Sequence, residues 1–297
     1  MRRPSPLVLK RWGFAYLILL PILLLYIYLR FIPIGKIFWM SLFNWKLIGK
    51  NFPFIGLQNY IGLLQDDRFL EAMRNTTIFA LVTVVISVIL GLTLATLLAK
   101  GGGMSSLYEA LYFLPAITPM VPVTLAWRWI FDFQYGILNN LLGLVGIPPQ
   151  PWLSDGRMAM VAIIILTVWK VVGYNMIIFL VGIRAIPGVY YEAAAVDGAN
   201  PWSQFRHITV PLLAPVTLFV MVMTTIQSYN VFTQVYVMAS DVQGAPGKLV
   251  RVLVYDMFEN GFRFYKMGYA AAEGVFLFLI VLVLTLLQFR SFKHQNA

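Results

Sequence analysis

The chain lacks cysteine, has only two histidines and carries few charges for its length of 297 residues. Without cysteine there are no disulfides and no thiolate metal sites. His207 and His294 alone provide too few ligands for a histidine metal site. Charged residues make up 11% of the sequence, against about 25% in soluble domains. A water-soluble globular domain is therefore excluded, because it could not cover its surface with polar groups.

The residues in excess are apolar. They make up 60% of the sequence, with a mean hydropathy of +0.79, against about 45–50% in soluble proteins. This composition predicts a polytopic membrane protein. The net charge of +10 fits the same class, because the basic residues lie in loops and at the ends of apolar runs. They do not alternate with aromatic residues, so membrane anchoring is favoured over nucleic-acid binding.

Six apolar runs are long enough to cross about 30 Å of hydrocarbon, which takes about 20 helical residues. They predict an all-α fold with six transmembrane helices in a single domain, residues 1–297. Pro115, Pro119 and Pro122 remove three backbone donors from the third run. Because lipid cannot replace those donors, we expect a kinked helix that packs among others or borders a wet cavity. The predicted spans lie near residues 12–32, 78–98, 107–130, 158–183, 212–238 and 268–289.

Charge at the chain ends predicts the orientation. The first run is longer than the apolar region of a signal peptide and lacks a small-x-small cleavage site, so we expect it to be retained. Basic residues before it place the N-terminus in the cytoplasm. Six spans return Arg290 and Lys293 to the same side, and residues 186–211 then form a cytoplasmic loop. The basic residues before the first run are Arg2, Arg3, Lys10 and Arg11.

That loop has the signals of a helix, a tight turn and a second helix. The stretch "YYEAAAVD", Tyr190 to Asp197, consists mainly of good helix formers. Gly198 suits the position after a helix end, where φ is positive. Asn200 is a natural N-cap and Pro201 a natural first residue of the next helix. The alanines at 193–195 leave a surface without bulk, which another protein could approach closely.

The same stretch resembles a known signature. Glu192-Ala193-Ala194, then Gly198, then Ile208-x-Val210-Pro211 is similar to the EAA motif of permease subunits of binding-protein-dependent ABC importers. Val210 stands where that family usually has leucine. The segments "YFLPAITPMVPVTLAWRWIF" and "VWKVVGYNMIIFLVGIRAIP" resemble the carbohydrate branch, with its maltose-type and sn-glycerol-3-phosphate-type permeases.

The resemblance implies a type I ABC importer permease in a bacterial or archaeal plasma membrane. The loop 186–211 would be the coupling helix that docks on a separate ATPase. ATP and magnesium would be bound there, with no cofactor on this chain, which has no G-x-x-x-x-G-K-[ST] motif. The implied partners are a second homologous permease, two ATPase subunits and an extracytoplasmic solute-binding protein. The implied coupling residues are Glu192, Ala193, Ala194, Asp197, Gly198, Ile208 and Pro211.

Polar residues within the fourth and fifth spans are candidates for a solute path, because polar groups in spans usually face a bundle interior or a cavity. In the fifth span three of them lie three or four residues apart on one helical stripe, with Asn230 at its edge. The resemblance to maltose-type permeases implies a sugar or polyol as solute, sn-glycerol-3-phosphate included. The alternative is interhelical hydrogen bonding, worth about 0.6 kcal/mol per contact. The candidates are Tyr174, Asn175, Thr224, Gln227, Ser228 and Asn230.

Lys170 lies near the middle of the fourth span. An unpaired cation there costs about 2.5–3.5 kcal/mol on insertion scales. We therefore expect a partner or a wet cavity, and Glu273 of the sixth span is a candidate partner.

Other classes remain open from the residues alone. An ion-coupled secondary transporter usually has intramembrane carboxylates, for which only Glu273 qualifies here. An ABC permease for a non-sugar solute is a further alternative. A membrane-embedded enzyme would need a catalytic constellation within the spans, and no such spacing of acids and histidines occurs.

Overall fold

The computed structural model describes residues 6–49, 51–99, 101–239 and 250–293. Within these ranges the chain forms helices joined by turns, and the nearest approach to a sheet is one isolated antiparallel bridge between Phe43 and Phe54. The predicted all-α fold is confirmed. The helices, in chain order, are α1 (Pro6–Tyr26), α2 (Ile32–Met40), α3 (Gln58–Gln65), α4 (Asp67–Ala99), α5 (Ser105–Ile117), α6 (Met120–Ile130), α7 (Ile137–Leu144), α8 (Gly156–Arg184), α9 (Gly188–Val196), α10 (Pro201–Gln204), α11 (Val210–Leu212), α12 (Ala214–Tyr229), α13 (Thr233–Ala239), α14 (Leu253–Phe258) and α15 (Met267–Lys293).

Among the described residues four helical stretches are long and apolar enough to cross a membrane, and two bent helix pairs bring the number to six if each pair is one span. One pair is α5 with α6, bent by 99°, which confirms the kink expected from the prolines of the third span. The other is the helix through residues 201–212 with α12, bent by 66°. The four straight stretches are Ala15–Met40, Asp67–Ala99, Gly156–Arg184 and Met267–Phe292.

Two predicted spans need correction. The fifth, 212–238, is not one helix: the chain bends at Leu213, and α12 ends at Tyr229 before α13 begins. Pro215 in the first turn of α12 has no N–H, which suits a helix start and interrupts a continuing helix.

The first span, expected near 12–32, continues helically to Met40 through a π-helical turn at Ile27–Phe31. Arg2 and Arg3, on which the orientation partly rests, lie outside the described residues.

The chain divides into two compact units. The first comprises residues 1–63 and 257–276. In it the Asn59 amide donates to the carbonyls of Ser41, at 2.7 Å, and Phe43, at 3.1 Å. The backbone N–H of Gly268 donates to the carbonyl of Trp45 at 2.9 Å. These bonds join the segment after α2 to α3 and to the start of α15. The side chains of α1 from Ala15 onward are exposed, as contact with lipid requires.

The second unit comprises residues 64–256 and 277–297 and contains both candidate sites. Its central helix is α8, which packs against α4, α5 and α12. One apolar cluster includes Phe79, Ile163 and Leu166, and another includes Met176 and Phe179. The prediction of a single domain is not tested by this division, and it stays a prediction.

Candidate functional site

The loop after α8 has the predicted helix, turn and helix. Gly198 has φ of +79°, as expected, and its N–H donates to the carbonyl of Ala195 at 3.1 Å. The N–H of Ala199 reaches back to the carbonyl of Ala194 at 2.9 Å. This pair of bonds is a Schellman motif, which satisfies the last carbonyls of α9. The turn is therefore fixed by backbone geometry that glycine adopts without strain.

The next helix begins as its capping residues indicate. The side chain of Asn200 accepts a hydrogen bond from the N–H of Ser203 at 2.8 Å, and Pro201 is the first helical residue. The hydroxyls of Tyr191 and Thr209 lie 2.9 Å apart and bind the two helices to each other. The helix continues to Leu212 through a π-helical turn at Phe205–Thr209. This wider turn comes just before Pro211, which has no backbone N–H to donate.

Most of the predicted coupling residues are accessible on this loop. Ala194 and Ile208 are half-buried. Within the described residues the carboxylate of Glu192 has no hydrogen-bond or ion-pair partner. Val196, which sequence reasoning did not single out, is 89% exposed one turn after Glu192. The exposed coupling residues are Glu192, Ala193, Asp197, Gly198 and Pro211.

This surface combines two exposed acids, Glu192 and Asp197, with small side chains and an exposed valine. Val196 is not alone, because Tyr190 and Trp202 of the same loop are also exposed. Single exposed apolar side chains are normal, whereas a group of them on an ordered loop is typical of a surface that contacts another protein. The spacing of Val196 four residues after Glu192 places both on one helix face, and that signal could have identified Val196 from the sequence.

The second candidate site is a cavity of about 350 Å³ inside the second unit. Helices α4, α8 and α12 and the bend between α5 and α6 all contribute to its wall. The stripe predicted on the fifth span faces it, because residues three and four apart on a helix share a face. The lining residues are Phe79, Ala116, Met120, Thr167, Lys170, Val171, Tyr174, Thr224, Gln227, Ser228, Val231 and Gln234.

Four of the six predicted path residues therefore meet at one cavity, namely Tyr174, Thr224, Gln227 and Ser228. Tyr174 is 38% exposed and presents an aromatic ring to the cavity. Amide and hydroxyl groups beside an aromatic face can bind a hydroxyl-rich solute, because each hydroxyl of the solute both donates and accepts.

The other two path residues lie elsewhere among the residues described. Asn175 is buried, and its amide lies 3.3 Å from the hydroxyl of Thr224. Asn230, at the C-terminal end of α12, donates its side-chain amide to the carbonyl of Ile226 at 2.7 Å. The Asn175–Thr224 pair is the interhelical hydrogen bonding that the sequence left open as an alternative, so Thr224 has a packing partner as well as a place on the cavity wall.

The cavity includes polar residues that were not among the predicted path residues. Thr167 and Lys170 lie on one stripe of α8 with the predicted Tyr174, at intervals of three and four residues. That periodicity is the signal used on the fifth span, and it could have identified the stripe on the fourth span. Gln234 lies beyond the end of α12, on α13. Because the sequence predicted one continuous helix there, helical spacing could not place Gln234 on the cavity wall.

Lys170 borders the cavity and donates to two backbone carbonyls, Pro115 at 2.9 Å and Thr118 at 2.6 Å. These carbonyls take the place of the suggested partner Glu273, whose Oε1 accepts from the Asn260 amide at 2.8 Å. Among the described lining residues Lys170 is the one with a formal charge. The cavity wall is otherwise built from neutral polar and apolar side chains.

A multi-pass membrane chain with an internal polar cavity and an exposed helical loop has the architecture of a transport subunit. Residues 87–294 match a family described as "Binding-protein-dependent transport system inner membrane component". The chain belongs to this family, the permease subunits of ABC importers. An ion-coupled secondary transporter, which the sequence alone left open, is thereby excluded.

Individual relatives match over nearly the whole chain. The sn-glycerol-3-phosphate transport system permease protein UgpA of Agrobacterium fabrum is 33% identical over 281 residues, which cover 94% of each chain. The trehalose/maltose transport system permease protein MalF of Thermococcus litoralis is 30% identical over 295 residues, which cover 98% of each chain. A solved structure, that of a bacterial ABC transporter involved in the import of the acidic polysaccharide alginate, matches with a TM-score of 0.83 at 22% identity and covers 96% of each chain. The structural match shows the fold.

Proposed function

We propose that this chain forms the translocation path for a sugar or polyol in an ATP-driven importer. The observation that carries the proposal is the cavity on which Tyr174, Gln227 and Ser228 converge. Its neutral hydroxyl, amide and aromatic groups suit a hydroxylated solute better than a metal ion or a lipid. The relatives named for trehalose and maltose and for sn-glycerol-3-phosphate support the same solute class.

The loop from Ile186 to Pro211 couples the path to a separate ATPase. Its two helices are capped, joined to each other and exposed at Glu192, Ala193 and Val196. A basic residue of the ATPase would pair with Glu192, and the small side chains let the ATPase backbone approach. The loop lies on the cytoplasmic side, as do both chain termini, in the plasma membrane of a bacterium or archaeon.

The working complex contains a second, homologous permease, two ATPase subunits and an extracytoplasmic solute-binding protein. ATP and magnesium bind to the ATPase, whereas this chain holds the solute path and no cofactor. The binding protein in this proposal is supported by a solved structure of a bacterial alginate ABC transporter in complex with its alginate pentasaccharide-bound periplasmic protein.

The test is uptake by the reconstituted complex. The chain is purified with its ATPase, second permease and binding protein and placed in vesicles supplied with ATP. Uptake is measured for maltose, trehalose, sn-glycerol-3-phosphate and, as a non-sugar control, an amino acid. We expect ATP-dependent uptake of at least one hydroxylated solute and none of the amino acid. Uptake of the amino acid alone, or uptake that an ion gradient drives without ATP, would refute the proposal.

A further inference from the structure

The third span is broken at the cavity wall. Thr118 and Pro119 both have extended backbone angles, with ψ of 142° and 141°, and the axes of α5 and α6 differ by 99°. In a continuous helix the carbonyl of residue i accepts from the N–H of residue i+4. The residues four positions after Pro115 and Thr118 are Pro119 and Pro122, and neither has an N–H.

The ammonium of Lys170 donates to those same two carbonyls. Its Nζ lies 2.9 Å from the oxygen of Pro115 and 2.6 Å from that of Thr118. The Pro115 oxygen also accepts from the Thr118 hydroxyl at 2.7 Å. An ammonium has three donors and can satisfy both carbonyls at once. A charged donor also makes a stronger bond than a neutral amide.

Packing holds Lys170 at this place. One turn further along α8, an added Cβ at Gly173 would overlap the carbonyl oxygen of Tyr112 on α5. The two helices therefore approach closely beside the break. At this short distance the side chain of Lys170 reaches the two carbonyls directly from α8. Ala116 and Met120, on either side of the break, line the cavity with Lys170.

From this geometry we propose that Lys170 is a positioning residue. It supplies the donors that two prolines remove and so fixes the α5–α6 bend that forms one wall of the cavity. Its ammonium is bound to the protein's own carbonyls, and its role is to hold this wall in shape. This inference goes beyond the proposed function and does not depend on which solute is carried.

The absence of cysteine from the sequence allows a direct test by spin labelling. Cysteines replace Leu111 on α5 and Leu125 on α6, both exposed, in a complex whose other subunits are free of cysteine. A bend of 99° leaves an angle of about 81° between two helical arms of about 10 Å each, which puts the labelled Cα atoms about 13 Å apart. In a straight helix the same 14 residues would span about 21 Å. Dipolar electron paramagnetic resonance without solute or nucleotide reports this distance.

Lys170→Met removes the donors with little change of length. We expect the label distance to lengthen toward the straight value and its distribution to broaden, whereas Lys170→Arg, which retains donors, stays close to the wild type. A Lys170→Met distribution that superimposes on the wild type, or a Lys170→Arg distribution as broad as that of Lys170→Met, would overturn the proposal. If Lys170→Met does not assemble, Lys170→Leu takes its place under the same criterion. Because no solute is present, failure of the sugar assignment would leave this result unchanged.

Discussion

Gly173 on α8 lies directly against the carbonyl of Tyr112 on α5, so closely that a methyl group on Gly173 would overlap the oxygen. The obstacle is backbone, which cannot move aside as a flexible side chain could. Lys170, one turn earlier on α8, donates to the carbonyls at the break in the third span beside this close approach. The small residue in the middle of the fourth span therefore fixes the distance between two helices that border the cavity.

We expect Gly173→Ala to destabilise the assembled complex. Overpacking of a well-packed interior costs about 1–3 kcal/mol, and a backbone obstacle places this site at the upper end. Thermal stability and the yield of intact complex in size-exclusion chromatography measure the effect. Gly143→Ala is the control, because a methyl group there meets nothing within 4 Å. Equal behaviour of the two variants would contradict the packing argument.

The turn at Gly198, in the loop of residues 186–211, gives a second prediction. Gly198→Pro fixes φ near −65° where the structure has +79° and removes the N–H that bonds to Ala195. The variant should insert into the membrane but lose solute uptake, and loaded binding protein should no longer stimulate ATP hydrolysis. Gly146→Pro is a matched control, since Gly146 has φ of +78° outside the loop. Stimulation as in the wild type by Gly198→Pro vesicles would rule out the coupling role.

Charge reversal at the exposed acid of α9 tests the contact with the ATPase. Glu192→Lys replaces an attraction to a basic partner by a repulsion, and loss of one member of an interfacial pair costs about 2–5 kcal/mol. ATPase affinity should fall at least tenfold, and an acidic residue in place of the basic partner should recover part of it. Glu71→Lys, at another exposed acid, should leave affinity unchanged. Unchanged uptake by Glu192→Lys would make this acid an ordinary solvated charge.

Substitutions of two residues that line the cavity should reduce transport without preventing assembly of the complex. Tyr174→Ala removes an aromatic face, and Ser228→Leu puts an apolar group where a hydroxyl lines the wall. Each lost polar contact is worth about 0.5–1.5 kcal/mol, so the apparent affinity in uptake should fall roughly twofold to tenfold. Basal ATP hydrolysis should stay near the wild type.

Tyr108→Ala is the matched control for Tyr174→Ala, because Tyr108 is similarly exposed at 44% but does not belong to the described lining of the cavity. It should transport normally. If the two cavity variants fail to assemble, the stripe serves helix packing and the solute path lies elsewhere.

Local signals explain what the sequence could predict. Gly198, Asn200 and Pro201 define the turn and the helix start through bonds that span four to six residues, and the structure has both where expected. The bend of the third span follows in the same way from prolines within it. Such features need no knowledge of the rest of the fold.

The remainder depends on contacts between distant residues. The partners of Lys170 lie more than 50 positions away, and the sequence shows that carbonyls are left without donors but not which cation reaches them. Asn175 and Thr224 appear alike as polar residues in spans, whereas their pairing needs the packing of α8 on α12. The bend at Leu213 likewise interrupts a run whose hydropathy is continuous.

The loop of residues 186–211 is held in shape by its own residues. The backbone turn at Gly198, the cap at Asn200 and the hydroxyl pair of Tyr191 and Thr209 all come from the loop itself. Fixing the backbone of a flexible residue costs about 1–2 kcal/mol of conformational entropy. A loop that folded only on contact would lose that amount at every residue it ordered. Because this loop is preorganised, we expect a small contact area to suffice for binding the proposed ATPase subunit.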